Sequence, residues 1–219
     1  WQGPWRLQIY RKAFTSLPVA IQRRIVRHAL ETMHVAHLMS FRHIESLRHF
    51  LAAGRMGQRH CLPGELFAEH LVDKILLWNA SQLAAVPCLS TLPVPGVLDL
   101  GPLNSRLTAD IIDTSPQMHK RRPQEGYVAL DRLYLPLRVR FWQRGDRFYP
   151  LGAVGSKKLQ DFFVDSKIPR GERPYIPLIL SDDHIVWVSG HRIAEPFKIC
   201  AATKRVVRLR YCSMQADRV

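Results

Sequence analysis

The stretch from Arg138 to Arg173 reads RVRFWQRGDRFYPLGAVGSKKLQDFFVDSKIPRGER, and it organises the chain. Its first residues alternate: Leu137, Val139 and Phe141 point one way, Arg138, Arg140 and Trp142 the other, as along a strand with one buried face. Gln143-Arg144-Gly145-Asp146 follows as a turn, with Asp146 expected to accept backbone N–H bonds there. Pro150, Gly152 and Gly155 mark a loop. A helix is then expected from Ser156, as N-cap, to about Lys167, with Pro169 ending the segment. Leu159, Phe162 and Phe163 fall at i, i+3 and i+4, so they share a face that packs on a sheet. Lys157 and Lys158 fall in the first turn, where the helix dipole disfavours cations and favours anions. A phosphate held there would relieve the conflict. The run from Gly152 to Lys157 lacks the spacing of a mononucleotide-binding loop, so a nucleic-acid phosphate fits better. The alternative is a solvated basic turn beside a packed helix.

Charge widens the case. The chain of 219 residues carries 32 Lys and Arg against 18 Asp and Glu, a formal net charge of +14. Such an excess points to a polyanionic partner, nucleic acid first. No run of 18 apolar residues suits a membrane span, and no signal peptide is visible, so a cytoplasmic protein is expected. Cys61, Cys88, Cys200 and Cys212 lack metal-site spacing and read as reduced thiols. The chain opens at Trp1 in sequence that reads as mid-protein, so a fragment is expected.

Toward the N-terminus, Ser16-Leu17-Pro18 is expected to start a helix. Ile21, Ile25, Val26, Ala29, Leu30 and Met33 form its apolar half. Arg23, Arg24, Arg27, His28 and His34, with Glu31, form the other half. That basic face can lie along phosphates or simply face water. Ser40 caps a second helix that stops near Gly54, with Ile44, Leu47 and Leu51 as core stripe and Phe41 and Phe50 beside it. The two helices make an αα-hairpin. Residues 58–62, the turn Leu62-Pro63-Gly64-Glu65, and Phe67 to Trp78 suggest a β-hairpin. Seven of the ten histidines lie between His28 and His70, but no carboxylate completes a ligand set, so no metal is expected.

Residues 81–96, with Pro87, Pro93 and Pro95-Gly96, read as a linker between a helical domain, 1–80, and a mixed α+β domain, 97–219. Strands are expected over Val97–Leu100, Arg106–Ile112, Tyr127–Leu130 and Leu137–Trp142, with a basic loop from Pro116 to Glu125 that includes Lys120-Arg121-Arg122. Further strands follow at Leu178–Leu180, Ile185–Val188 and around Val207–Tyr211, with a frayed tail after Cys212. The overall class is α+β.

The pattern RxRxxxxGDRFxPLGxxGSKKLxDFFxDxKIPRxxRxxxPL, continued by Ile185-Val186-Trp187-Val188 and Gly190-His191-Arg192-Ile193, resembles the C-terminal domain of tRNA(Ile)-lysidine synthetases. The likeness covers about residues 137 to 212. Leu17-Pro18, Gln22-Arg23-Arg24, Phe41, His43-Ile44 and Leu62-Pro63-Gly64 resemble, more weakly, the substrate-binding domain that precedes it in that family. The family uses ATP to adenylate a tRNA cytidine and then attaches lysine. It does so through an N-terminal pyrophosphatase domain marked SGGxDS, which this sequence lacks; Ser189-Gly190-His191 is no substitute. The resemblance implies no catalytic residue and no cofactor within this chain, with ATP, Mg and lysine entering only through that other domain. It implies tRNA(Ile) as partner, no membrane, and leaves room for a homodimer. The residues expected to meet tRNA are Lys157, Lys158, Arg138, Arg140, Arg144, Arg147, Arg170, Arg173, Arg23, Arg24 and Arg27. A stand-alone RNA-binding module and a scaffold for an acidic protein are the rival functions.

Overall fold

The computed structural model describes residues 6–81, 89–113, 122 and 124–213. The chain forms two compact units, 1–85 and 86–219, and its class is α+β.

The first unit is built on β1 (Arg6–Tyr10), β2 (Arg59–Leu62), β3 (Leu66–His70) and β4 (Lys74–Asn79). They form an antiparallel sheet in the order β1-β4-β3-β2. Helices α1 (Arg11–Thr15), α2 (Val19–Thr32) and α3 (Phe41–Ala53) cover it. The core joins Phe14, Val26, Leu30, Met33, Leu47 and Leu51 of the helices to Leu66, Ala68, Ile75 and Leu77 of the sheet. Truncating one such fully buried leucine costs about 2–5 kcal/mol.

The expected hairpin of strands is therefore half of a sheet. Phe67 to Trp78 divides into β3 and β4, which turn through residues 71–73, and β1 completes the far edge. Ser16 ends α1 rather than starting α2; Pro18 occupies the N-cap position of α2. Gln22, polar and on the apolar side of α2, is buried because its amide donates to the carbonyls of Phe14 and Leu17 at 3.2 and 3.0 Å. Ser40 does cap α3. Its hydroxyl accepts from the His43 N–H at 3.4 Å while His43 Nδ1 accepts from the Ser40 N–H at 3.2 Å, a reciprocal capping box. Phe41 is not part of the core: it is 59% exposed.

The second unit holds two antiparallel sheets. One is ordered β14-β13-β12-β9-β5 and comprises β5 (Ser90–Leu92), β9 (Leu137–Arg140), β12 (Leu178–Ser181), β13 (His184–Val188) and β14 (Arg192–Ile193). The other is ordered β6-β7-β15-β8 and comprises β6 (Gly96–Leu100), β7 (Ser105–Asp113), β8 (Glu125–Ala129) and β15 (Arg205–Ser213). The sheets meet at Gly126, where a Cβ would lie 3.1 Å from both Trp187 and Ile193. β5 pairs with β9, so Ser90–Leu92, read as linker, belong to a sheet. Pro87 and the basic loop residues Lys120 and Arg121 lie outside the described residues, as do Pro116 and the tail after Ser213.

A short hairpin of β10 (Arg147–Phe148) and β11 (Lys157–Lys158) leads into α4 (Leu159–Asp165). The expected helix is thus shorter. Its first three residues, Ser156 to Lys158, are taken up by the hairpin instead. α4 ends at Ser166, with Lys167 at φ 54° and Ile168 N–H bonded to Phe163 O at 2.9 Å, a left-handed cap closed by buried Ile168.

Candidate nucleic-acid interface

β9 presents its arginines as the alternation indicates, with Leu137 and Val139 buried beneath. Both guanidiniums are matched by carboxylates. Arg140 donates to both oxygens of Asp146. Arg138 reaches Asp183 at 2.9 Å and Asp182 at 3.4 Å. Asp146 also accepts the Gln143 N–H at 2.8 Å, the turn role expected of it. Trp142 sets its edge against Phe163, ring centroids 6.3 Å apart. This side of the strand is an internally neutralised brace.

The open positive charge lies further on. In the β10–β11 ladder, Arg147 stands directly opposite Lys158. Like charges so placed repel. Arg147 is held by Ser156, at 2.9 Å to its hydroxyl and 3.1 Å to its carbonyl oxygen, which leaves its charge uncompensated. Lys158 is exposed and has no partner among the described residues. Arg144, in the preceding turn, and Arg170, beyond α4, are likewise exposed and unpartnered there. Lys157 differs, because it is ion-paired with Asp165. Arg173 is tied into the scaffold through the carbonyl of Ile168 at 3.0 Å.

The hairpin is anchored on its apolar side. Phe148 packs edge-on against Phe162 at 5.0 Å, and Leu159, Phe162 and Phe163 are all buried, as their spacing indicates. The Leu159 N–H donates to Asp146 O at 2.8 Å and fixes the helix to the Arg140–Asp146 turn. The loop between the strands is pinned where Gly152 N–H donates to Glu195 at 2.8 Å. Lys198 and that N–H hold the Glu195 carboxyl below the usual carboxylate range. With α4 only 7 residues long and both lysines preceding it, the cationic site is a hairpin face and not a helix N-terminus.

On α2, Arg23 is drawn across to α3, where Glu45 accepts from it at 2.5 and 3.2 Å and from Arg48 at 3.1 Å. The hydrogen bond from Arg23, then that from Arg48, lower the Glu45 carboxyl against an opposing desolvation effect. Arg24 and Arg27 are exposed without partners among the described residues. Two of the histidines pack against Phe50. His70 is buried, with Nε2 2.7 Å from Phe50 O, and His60 stacks on Phe50 at 5.1 Å. Among the described residues no three His, Cys, Asp or Glu side chains converge. No described helix is long and apolar enough to cross a membrane.

The family model described as TilS substrate C-terminal domain matches residues 137–211, and the TilS substrate binding domain matches 11–66. Over nearly the whole chain, the tRNA(Ile)-lysidine synthase of Caldanaerobacter subterraneus subsp. tengcongensis is 30% identical across 201 residues, 91% of this chain and 43% of that protein. The chain belongs to the tRNA(Ile)-lysidine synthase family. The synthase of Geobacter sulfurreducens is 30% identical over 199 residues, 88% of this chain and 41% of that one. That of Parabacteroides distasonis is 45% identical over 82 residues, 37% of this chain and 19% of its own. The chain thus spans about two fifths of the length of the synthases it matches end to end. Among solved structures, a crystal structure of a TilS C-terminal domain superposes with a TM-score of 0.51 at 31% identity, covering 57% of this chain and 96% of that one.

What the sequence did not disclose about this interface is its inequality. The sequence shows nine cations from Arg138 to Arg173 as equals, whereas the fold neutralises Arg138, Arg140 and Lys157 and leaves Arg144, Arg147, Lys158 and Arg170 open. Asp146, Asp165, Asp182 and Asp183 decide that division, through turns and packing that spacing along the chain does not reveal.

Proposed function

We propose that this chain is the tRNA-holding part of a tRNA(Ile)-lysidine synthase, which in intact form uses ATP and Mg to attach lysine to the wobble cytidine of the anticodon. What carries the proposal is the Arg147–Lys158 pair: two like charges held face to face on an anchored hairpin with no carboxylate between them. An anion bound across both would turn a repulsion into a bridge. A phosphate of a structured RNA meets that need without any reading of sequence. Arg144 and Arg170 extend the same contact, and Arg24 and Arg27 offer another on the first unit.

The Gly152–Gly155 loop forms a hairpin with one N–H committed to Glu195, which argues against its cradling a nucleotide. In this reading ATP, Mg and lysine are handled by another part of the intact ligase, in the cytoplasm. Filter binding of tRNA(Ile) to the 219-residue chain across a salt series tests it. The expected result is binding that weakens steeply with salt, together with no lysidine formed when ATP and lysine are added. Failure to bind tRNA at low salt, or lysidine formation by the chain alone, overturns it.

A further inference from the structure

Phe41 occupies an odd place. It is the first residue of α3, 59% exposed, and the start of that helix needs nothing from it. The cap is supplied by Ser40 and His43. The apolar clasp around it is supplied by Met39, packed on the core, and buried Ile44. Yet the ring is not idle. The guanidinium carbon of Arg23 lies 5.8 Å from its centroid, held there by Glu45. α2 and α3 run antiparallel, since Gln22 meets Arg48 and Arg23 meets Glu45. Arg27 follows Arg23 at i+4, one turn further along α2 in the direction of the Phe41 end of α3, and Arg24 is its i−3 neighbour.

We infer that Phe41, steadied by Arg23, is a stacking platform for one unpaired nucleobase of an RNA ligand, with Arg24 and Arg27 taking the adjoining phosphates. The inference rests on the reading of the chain as an RNA binder and adds a single-stranded subsite to it. One open ring is small for a protein-docking patch, which spans several side chains, but it matches one base. The cations beside it carry charge complementary to a phosphate chain. Neither α2 nor α3 has an acidic residue in its first turn; of their carboxylates, Glu45 is shared by two arginines and Glu31, one turn beyond Arg27, lies 3.9 Å from His28.

The test compares three probes with the whole chain: tRNA(Ile), a short oligoadenylate, and that oligoadenylate in duplex with oligouridylate. Phe41→Ala is expected to weaken oligoadenylate binding about five- to one-hundred-fold, as loss of a base–aromatic stack does, with the salt slope unchanged. Duplex binding stays as it was, and Phe41→Trp restores the loss. Arg24→Ala with Arg27→Ala is expected instead to reduce the salt slope by about one to two units. If Phe41→Ala melts early, Phe41→Leu, which keeps bulk but has no π face, carries the same comparison. Unchanged oligoadenylate affinity, or an equal loss on the duplex, overturns the inference while leaving the RNA-binding reading in place. A chain that binds none of the probes at low salt removes both.

Discussion

Arg140 and Asp146 hold each other at two points, 2.7 and 2.8 Å, across the turn that feeds the basic hairpin. Their side chains are 17% and 10% exposed, so each is largely withdrawn from water. The pair sets where β9 stops and, through the bond from Leu159 N–H to Asp146 O, where α4 starts.

Removing one partner leaves the other charge stranded. Asp146→Ala is expected to destabilise the second unit by about 3 kcal/mol, the scale for breaking a mostly buried ion pair. Asp146→Asn, which can still accept from Gln143 N–H, is expected to cost less. Urea midpoints of the two variants check the order.

The two lysines of the hairpin are expected to behave differently. Lys158→Ala removes an open cation and should lower the slope of log tRNA affinity against log salt by about one unit. Lys157→Ala should do less, because Asp165 already competes for that charge. Asp165→Ala is the sharper variant: it frees Lys157 and should raise affinity at low salt. All three exposed changes should leave stability within about 1 kcal/mol.

Burial pushes the imidazoles of His70 and His60 below the ordinary histidine range; for His70 the hydrogen bond to Phe50 O opposes that effect. In the unfolded chain both protonate near pH 6.5 or thereabouts, about the free value. Below that point the unfolded state binds more protons than the native one, so stability rises with pH there. The first unit should therefore be fully stable above about pH 6.5 and lose stability as pH falls from there through the lower native values. His70→Gln, which can still donate to Phe50 O and does not titrate, should flatten that dependence between neutral pH and the onset of carboxylate protonation.

The legible parts of this fold are those whose burial is local and one-sided. Leu137 and Val139 against Arg138 and Arg140, or Val207 and Leu209 against Arg208 and Arg210, announce strands because one face of each is dry. Ser40 announces α3 because its cap closes within three residues. The illegible parts depend on distant partners. β1 has only Leu7 and Ile9 as an inward stripe and exists because β4 pairs along it. Ser156 offers an N-cap before an amphipathic run, yet Arg147 and Phe148 draw Lys157 and Lys158 into a ladder. Residues 71–73 turn without glycine or proline, so β3 and β4 read as one run. Which cations stay open was hidden for the same reason: Asp182, Asp183 and Asp165 reach theirs through turns and helix packing that periodicity does not encode.

The position of β5 makes the division of the chain testable. Separation after Ala85 is expected to give two pieces that each unfold cooperatively, since each retains its sheets and core. Separation after Gly96 removes Ser90–Leu92 from its pairing with β9 and is expected to leave the second piece poorly folded. Circular dichroism melts of the two pairs of fragments decide the matter. Equal behaviour at both cuts would mean that β5 is dispensable.

The hairpin loop ends on Val154, fully exposed, between Gly152 and Gly155, where an added Cβ would meet nothing within 4 Å. Its two ends are fixed by Glu195 and Arg147, and Leu151 N–H bonds to Ile193 O at 3.0 Å. Nothing in the fold depends on what stands at that tip. Substitutions of Val154 itself are expected to leave folding unchanged and to be felt only by whatever the loop touches, whereas Gly152 and Gly155, at φ 81° and 89°, hold a backbone that a side chain would strain. Drift and selection can therefore rewrite position 154 while the glycines around it and the sheets beneath it are kept, and partner preference can change there without loss of stability.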